Sequence, residues 1–356
     1  MKNFLKFLFS VKNEYSGFNN FFKTKIICIL GLKIKIKNVN SVKYKILKNI
    51  INNIDKKYKN IFICTFNLGE IFIFLQLFRN RVDYNNRLKD TLFIATKKYH
   101  IDLFNLFTPQ IAFLYKPELQ CFVDSPKRNF SYKGRMINII LTLLNIKSWD
   151  KLLKEQEKLN IHTCYDSVKY LELNFKLLKN KVDIQPNINV DIKKNLIKKI
   201  KKINLDIDKF IFIAPEALSC QLLDIEFWRK ISIDLRNMGY DSFFNITENF
   251  QDYNFCKHIN LSVEEAFILA QMSKGIISLR SGFSELFTFI HNIPVSIIYN
   301  TPIPVQMSIE HFKEISTLYS YPYAGNNIHE FIYKNNDNNL AEKTIKTILN
   351  EDNFNE

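Results

Sequence analysis

Apolar and polar positions change period along this 356-residue chain, and each period predicts a different element. Phe4, Leu5, Phe7, Leu8 and Val11, interrupted by Lys2, Lys6 and Lys12, predict a short amphipathic helix. In "KIICILGLKIKIKNV" lysine and isoleucine alternate from Lys33 to Lys37; a period of two predicts strands, and Gly31 marks a turn or bulge between them. From about Ser41 the pattern becomes helices alternating with buried strands. A helix is expected through "SVKYKILKNIINNI" and a strand at "NIFICTF". The turn "NLGE" leads into a helix continuing as "IFIFLQLFRN", and "TLFIATKK" is the next strand. Strand, short turn, helix, strand is a βαβ unit, which builds a parallel sheet covered by helices. "IAFLY" and "QCFVD" predict further strands.

The stretch from about residue 150 to 181 predicts helix, and "NKVDIQPNINVD", around Pro186, predicts a linker. A second alternation then begins. "DKFIFIAPE" is a strand, "EFWRKISIDLRNMG" a helix closed by Gly239, and "YDSFFNI" a strand. "SVEEAFILAQMSK" is a helix in which Ser262 and Glu265 have the spacing of a capping box. "GIISL" and "PVSIIYN" are strands, with "GFSELFTFIHN" as the helix between them. The expected fold class is therefore α/β, with two Rossmann-like domains at 41–185 and 186–356 behind a basic amphipathic extension at 1–40. A chain of 356 residues suits two domains of ordinary size.

Charge narrows the picture. The formal net charge of +15 would point to nucleic acid if it were spread over a binding face. Residues 1–60 hold fourteen lysines against Glu14 and Asp55, a net +12, which leaves +3 for the rest. The cluster lacks arginine and lies on an apolar leader, so an anionic membrane surface is the expected partner, with docking on the protein's own surface as the alternative reading of the leader helix, and nucleic acid is not expected. Lysine interrupts the leader too early for a signal peptide, and no later apolar run is as long as a membrane span. The expected location is cytoplasmic, peripheral on the inner membrane. Six cysteines are scattered without a Cys-x-x-Cys pair, so buried thiols are expected and a metal centre is not.

Open parallel sheets bind ligands beyond the carboxyl ends of their strands. Two such ends stand out in the second half. "APEALS" offers Glu216 and Ser219, and "RSGFSE" offers Arg280, Ser281, the amides of Gly282 and Phe283, Ser284 and Glu285. Amides at a helix start, with a serine hydroxyl and an arginine beside them, favour a phosphate. A plain turn is the alternative. Arg280 is expected to neutralise charge on a departing diphosphate. Glu285 is expected either to hold ribose hydroxyls or to satisfy a helix dipole, and Trp228 to pack in the core. In the first half, strand ends present Asn67, Gly69 and Glu70, then Lys97, Lys98, His100 and Asp102. Glu70 and His100 have the chemistry of a general base, with a helix-starting acid and a surface histidine as the alternatives.

The succession "FIAPE", "EFWRKISIDLRNMGYDSFFNI" and "INLSVEEAFILAQMSKGIISLRSGFSELFTFIHNIPVSIIYNTPIP" resembles the C-terminal half of GT-B glycosyltransferases, especially the bacterial heptosyltransferase family. That family has a strand ending in a small-residue turn, a helix with tryptophan near its start, and a serine- and leucine-rich helix. A strand, an Asp-Ser-Gly turn, a helix and a proline-led strand complete the pattern. The likeness covers about residues 208 to 304, while the first half is similar in pattern only. Arg280 stands where the family carries the aspartate, and Glu285 where it carries histidine.

The resemblance implies a donor domain with Ser281 and Gly282 at the phosphates of a nucleotide sugar and Glu216 or Ser219 in the same cleft. It places the acceptor, a glycan or lipid-linked glycan, and the catalytic base in the first half. A glycosyltransferase of capsule or lipopolysaccharide assembly is the implied activity, with the nucleotide sugar as substrate and no cofactor. Another GT-B activity, such as nucleotide-sugar epimerisation, and a non-catalytic membrane-associated nucleotide-binding protein are the alternatives. No Gly-rich dinucleotide fingerprint or P-loop is present. "DID" at 206–208 precedes a strand instead of following one, so metal dependence is not implied.

Overall fold

The computed structural model describes residues 9–16, 22–29, 32–38, 42–81, 83–123, 129–140, 185–246, 253–303, 307–334 and 339–349. The chain opens with β1 (Phe9–Ser16), β2 (Phe22–Ile29) and β3 (Leu32–Asn38) in an antiparallel sheet of that order. β2 and β3 pair antiparallel, with Ile29 opposite Leu32, and the turn expected at Gly31 lies outside the described residues. The amphipathic helix is corrected. Phe9 to Val11, its last residues, belong to β1, which pairs with β2 from Phe9↔Ile29 to Ser16↔Phe22; residues 1–8 lie outside the described ones. A short helix nucleates poorly by itself, whereas a neighbouring strand offers a full ladder of hydrogen bonds.

Next come α1 (Val42–Asn52), β4 (Asn60–Cys64), α2 (Leu68–Arg79), β5 (Thr91–Ala95), α3 (Lys98–Phe107), β6 (Ala112–Tyr115), β7 (Asn129–Tyr132) and β8 (Arg135–Ile140). Their sheet runs β6-β5-β4-β8-β7, parallel except for β7 against β8. The β4–α2–β5 crossover is the βαβ unit that the apolar runs announced. "QCFVD" is not a strand; Pro117–Phe122 is a 3-10 helix with proline in its first turn, where the fixed φ fits and no donor is lost. The hairpin between β7 and β8 turns at Lys133 and Gly134 with φ of 49° and 73°, the paired positive values of a type I′ turn. Leu47 and Ile51 of α1 pack with Ile61, Ile63, Leu92, Ile94, Ile137 and Ile139 of the strands to form the core of this sheet.

The second half contains α4 (Val190–Lys201), β9 (Phe210–Ala214), α5 (Ile225–Asn237), β10 (Asp241–Phe244), β11 (Lys257–His258), α6 (Val263–Ala270), β12 (Gly275–Leu279), β13 (Val295–Tyr299), α7 (Ile309–Ser316), β14 (Ile328–Ile332) and α8 (Leu340–Leu349). Its sheet is parallel throughout, in the order β11-β10-β9-β12-β13-β14. Every residue of β9, β12 and β13 is buried, which is why these strands read as unbroken apolar runs. From β9 the chain builds outward to β11, then crosses back to β12 and builds the other way. The reversal leaves a topological switch point between β9 and β12.

Helix ends follow the expected chemistry. Gly239, at φ 80°, lets the Tyr240 amide reach the Leu235 carbonyl and closes α5. Ser262 and Glu265 form the capping box of α6. "GFSELFTFIHN" departs from expectation, because Ser284–Phe289 is a 3-10 helix and not an α-helix. Hydroxyls compete for its carbonyls: Ser284 bonds the Ser281 oxygen and Thr288 the Glu285 oxygen, each three residues back. The helix expected from about 150 to 181 lies outside the described residues.

By its internal contacts the chain divides into two compact units, residues 1–66, 85–101 and 110–145 in one, and 67–84, 102–109 and 146–356 in the other. Helix α2 therefore belongs with the second sheet although it follows β4 in sequence. Phe72 of α2 meets Phe107 at 5.2 Å and Phe289 at 5.7 Å, both edge-on, within an aromatic core.

Candidate functional site

The loops leaving β9 and β12 flank the switch point, and they touch. Ser219 donates its hydroxyl to the Arg280 carbonyl at 3.1 Å, and the Cys220 thiol reaches the same oxygen at 3.5 Å. Cys220 also bridges to Pro302, which draws the loop after β13 onto the loop after β9. "APEALS" and "RSGFSE" thus meet at one sheet edge, with Ser219 holding backbone. Glu216 is half-buried on the same loop and close enough to Tyr253 to help burial raise the pKa of that phenol.

Arg280 is only 4% exposed. Its Nε donates to the Ser316 carbonyl at 2.8 Å, and its Nη1 to the Ser281 carbonyl at 2.6 Å and the Ser284 hydroxyl at 3.3 Å. Its Nη2 donates to Glu285 Oε1 at 3.0 Å. A buried charge is tolerated when it is paired and its donors are satisfied, and these bonds meet both conditions. The guanidinium is turned inward and holds the backbone of two buried residues, Ser281 and Ser316. Sequence reasoning missed the carbonyl of Ser316 and also Glu330, whose Oε1 accepts the Tyr299 hydroxyl proton at 2.7 Å, with the Ser316 carbonyl 3.1 Å from the same phenol oxygen. A glutamate inside the short strand β14 was the only signal available.

Glu285 is 6% exposed. Burial pushes its carboxyl above the usual carboxylate range, while the Arg280 guanidinium and the Tyr321 hydroxyl pull it back. A Cβ added to Gly69 would stand 2.6 Å from Oε2 of this carboxylate. The acid therefore lies against the first turn of α2. At Gly282 a Cβ would come within 2.8 Å of the Gly69 nitrogen, a backbone atom, so Gly282 is required by close approach.

The turn after β12 ties itself together from within. The Ser284 amide and hydroxyl donate to the Ser281 carbonyl at 3.1 and 2.7 Å, and the Ser281 amide donates to the Ser284 hydroxyl at 3.2 Å. The amides of Gly282 and Phe283 have no partner among the described residues, and both residues are half-buried.

A solved structure shares this architecture. The ADP-heptose lps heptosyltransferase II of E. coli is 11% identical over 83% of this chain and 99% of that chain, with a TM-score of 0.55. The fold is a GT-B-like glycosyltransferase fold. The glycosyl transferase family 9 protein of Veillonella parvula is 11% identical over 85% of this chain and 93% of that one, at a TM-score of 0.47. E. coli heptosyltransferase WaaC with ADP is 10% identical over 82% and 99%, at 0.37. No family model and no curated relative matches the chain.

The two candidate bases separate. His100, expected at the surface or in catalysis, is fully buried. Its Nε2 donates to the Phe66 carbonyl at 2.8 Å, and its Nδ1 accepts the amides of Thr96 and Lys97, each at 3.3 Å. Burial pushes its pKa down to about 4, against the Phe66 carbonyl and aided by Lys97, so the ring is neutral with both nitrogens engaged by backbone. Glu70 is half-buried in the first turn of α2 and directly follows the glycine that meets the β12 turn. Asp102 accepts the Val263 amide at 2.9 Å and serves the start of α6.

Proposed function

We propose that the protein is a glycosyltransferase that binds a nucleotide sugar at the switch point of its second sheet and passes the sugar to a glycan or lipid-linked acceptor. The observation that carries this reading is the pair of amides at Gly282 and Phe283 beyond β12, which have no partner among the described residues and belong to half-buried residues. Successive N–H groups in a turn make an anion seat, and a switch-point crevice is where open parallel sheets take nucleotides. The fold shared with a heptosyltransferase supports a sugar as the transferred group. Residues 186–356 would bind the donor through Ser281, Gly282 and the Glu216 loop, and 41–185 would supply acceptor contacts. Glu70 is assigned as general base, because Gly69 beside it packs on the turn that would hold the phosphates. The fourteen lysines within residues 1–60 support attachment to an anionic inner-membrane surface, and capsule or lipopolysaccharide assembly is the setting that fits.

Phe283 has φ −71°, so proline fits its backbone and removes its N–H, while alanine keeps it. Titration with UDP, GDP, ADP and CDP should show one nucleotide bound by wild type and by Phe283→Ala. Phe283→Pro should bind it roughly tenfold or more weakly than Phe283→Ala, the cost of one hydrogen bond to a charged group. Equal binding by the two variants would remove the seat. Glu70→Gln should bind the nucleotide normally and fail to transfer sugar.

A further inference from the structure

We propose that Arg280 is a positioning residue, which aims the Gly282 amide at the donor phosphate without touching the phosphate, and that Glu285 serves to hold Arg280. The proposal rests on the donor-site reading above. It starts from the geometry of one peptide. In a trans peptide the C=O and the following N–H point in opposite directions. The Ser281 carbonyl is drawn inward by Arg280 Nη1 at 2.6 Å, the Ser284 hydroxyl at 2.7 Å and the Ser284 amide at 3.1 Å. An inward carbonyl turns the Gly282 N–H away from Arg280, outward from the buried pair, where the residue is half-buried and the amide has no partner among the described residues.

The opposite orientation would set the Gly282 N–H against a guanidinium, donor facing donor, and present a carbonyl oxygen to the phosphate. One peptide orientation therefore decides whether this turn attracts or repels an anion. Arginine suits the task because separate N–H groups on one rigid plane reach the Ser316 carbonyl, the Ser281 carbonyl and Glu285 Oε1 together; a lysine ammonium has no such fork. Glu285 closes the far end of the fork in a buried ion pair whose side chains are 5% and 8% exposed. The two departures from the heptosyltransferase pattern, arginine for aspartate and glutamate for histidine, are thus one paired feature in space.

The chain has eight glycines, so protein labelled with 15N-glycine gives a spectrum in which the Gly282 amide can be followed. In nucleotide-free wild type this amide should exchange with solvent at an unprotected rate, and the nucleoside diphosphate that binds best among UDP, GDP, ADP and CDP should protect it. Tenfold or greater protection in the free protein would overturn the outward orientation. Arg280→Lys keeps the charge and loses the fork, so it should bind the nucleotide roughly tenfold more weakly while still unfolding cooperatively. Unchanged affinity would overturn the positioning role. Glu285→Gln, the gentler variant, gives a readout of opposite sign for the rival explanation. A carboxylate acting only by its charge would repel phosphate, so its neutralisation would tighten binding, whereas loosening Arg280 should weaken binding several-fold. Tighter or equal binding by Glu285→Gln would sink the proposal. Wild type that binds no nucleotide, with Gly282 still unprotected, would instead remove the donor-site reading and leave the orientation standing.

Discussion

His100 and Arg280 are both buried polar side chains beneath the carboxyl end of a parallel strand, yet they leave opposite surfaces behind. Under β5 the buried group presents an acceptor, His100 Nδ1, which takes the amides of Thr96 and Lys97. Under β12 the buried group presents donors, and Arg280 takes the Ser281 carbonyl. An acceptor below a turn draws N–H groups inward and silences the turn toward anions. A donor below a turn draws carbonyls inward and frees the N–H groups. The lesson is that the capacity of a strand end to hold phosphate depends on the polarity of what is buried under it, as much as on the residues that face solvent.

The largest effect expected from breaking this contrast comes from Arg280→Ala. It strands Glu285 without its cation, so urea unfolding should show a loss of about 3–5 kcal/mol. A loss below about 1 kcal/mol would mean that the pair does not hold the turn. On the other side of the comparison, His100 titrates near 6.5 when unfolded and at about 4 in the fold. Between those values the unfolded chain binds more protons, so this contribution to stability is lost as pH falls from about 6.5 to 4. The loss should amount to about 3 kcal/mol, and replacing the ring in His100→Gln should flatten that part of the curve of unfolding free energy against pH. An unaltered slope would show that His100 is not held neutral. The smallest change is Gly69→Ala, whose methyl would press on the Glu285 carboxylate and cost about 1–3 kcal/mol of overpacking. Shortening the acid with Glu285→Asp in the same chain should recover part of it, and no recovery would place the strain elsewhere.

Much of the fold was legible because it depends on short-range pattern. The buried runs of β9, β12 and β13, the capping box at Ser262 and the stop at Gly239 each involve neighbours in sequence, and each formed where the periodicity put it. Where two local solutions compete, pattern was a poor guide. Phe9 to Val11 fit an amphipathic helix until a partner strand is present. Residues 284–289 fit an α-helix until serine and threonine hydroxyls take its carbonyls. The candidate site was legible as a set of residue types at a strand end, and Ser219 and Arg280 do meet there. Their roles were not, since the expected phosphate-binding side chain proved to hold backbone.

By itself, then, the amino-acid order determined two α/β alternations, the strand ends where polar residues gather, and the Ser281-Gly282 turn. Only the tertiary structure decided which way that turn faces. The deciding partners are remote: the Ser316 carbonyl lies 36 positions from Arg280, and Gly69, which makes room for Glu285, comes from the helix after β4. A pairing of arginine with glutamate five residues apart belongs to neither a helical nor a strand repeat, so no periodicity announces it. It forms because burial makes an unpaired charge costly, and burial is a property of the assembled fold.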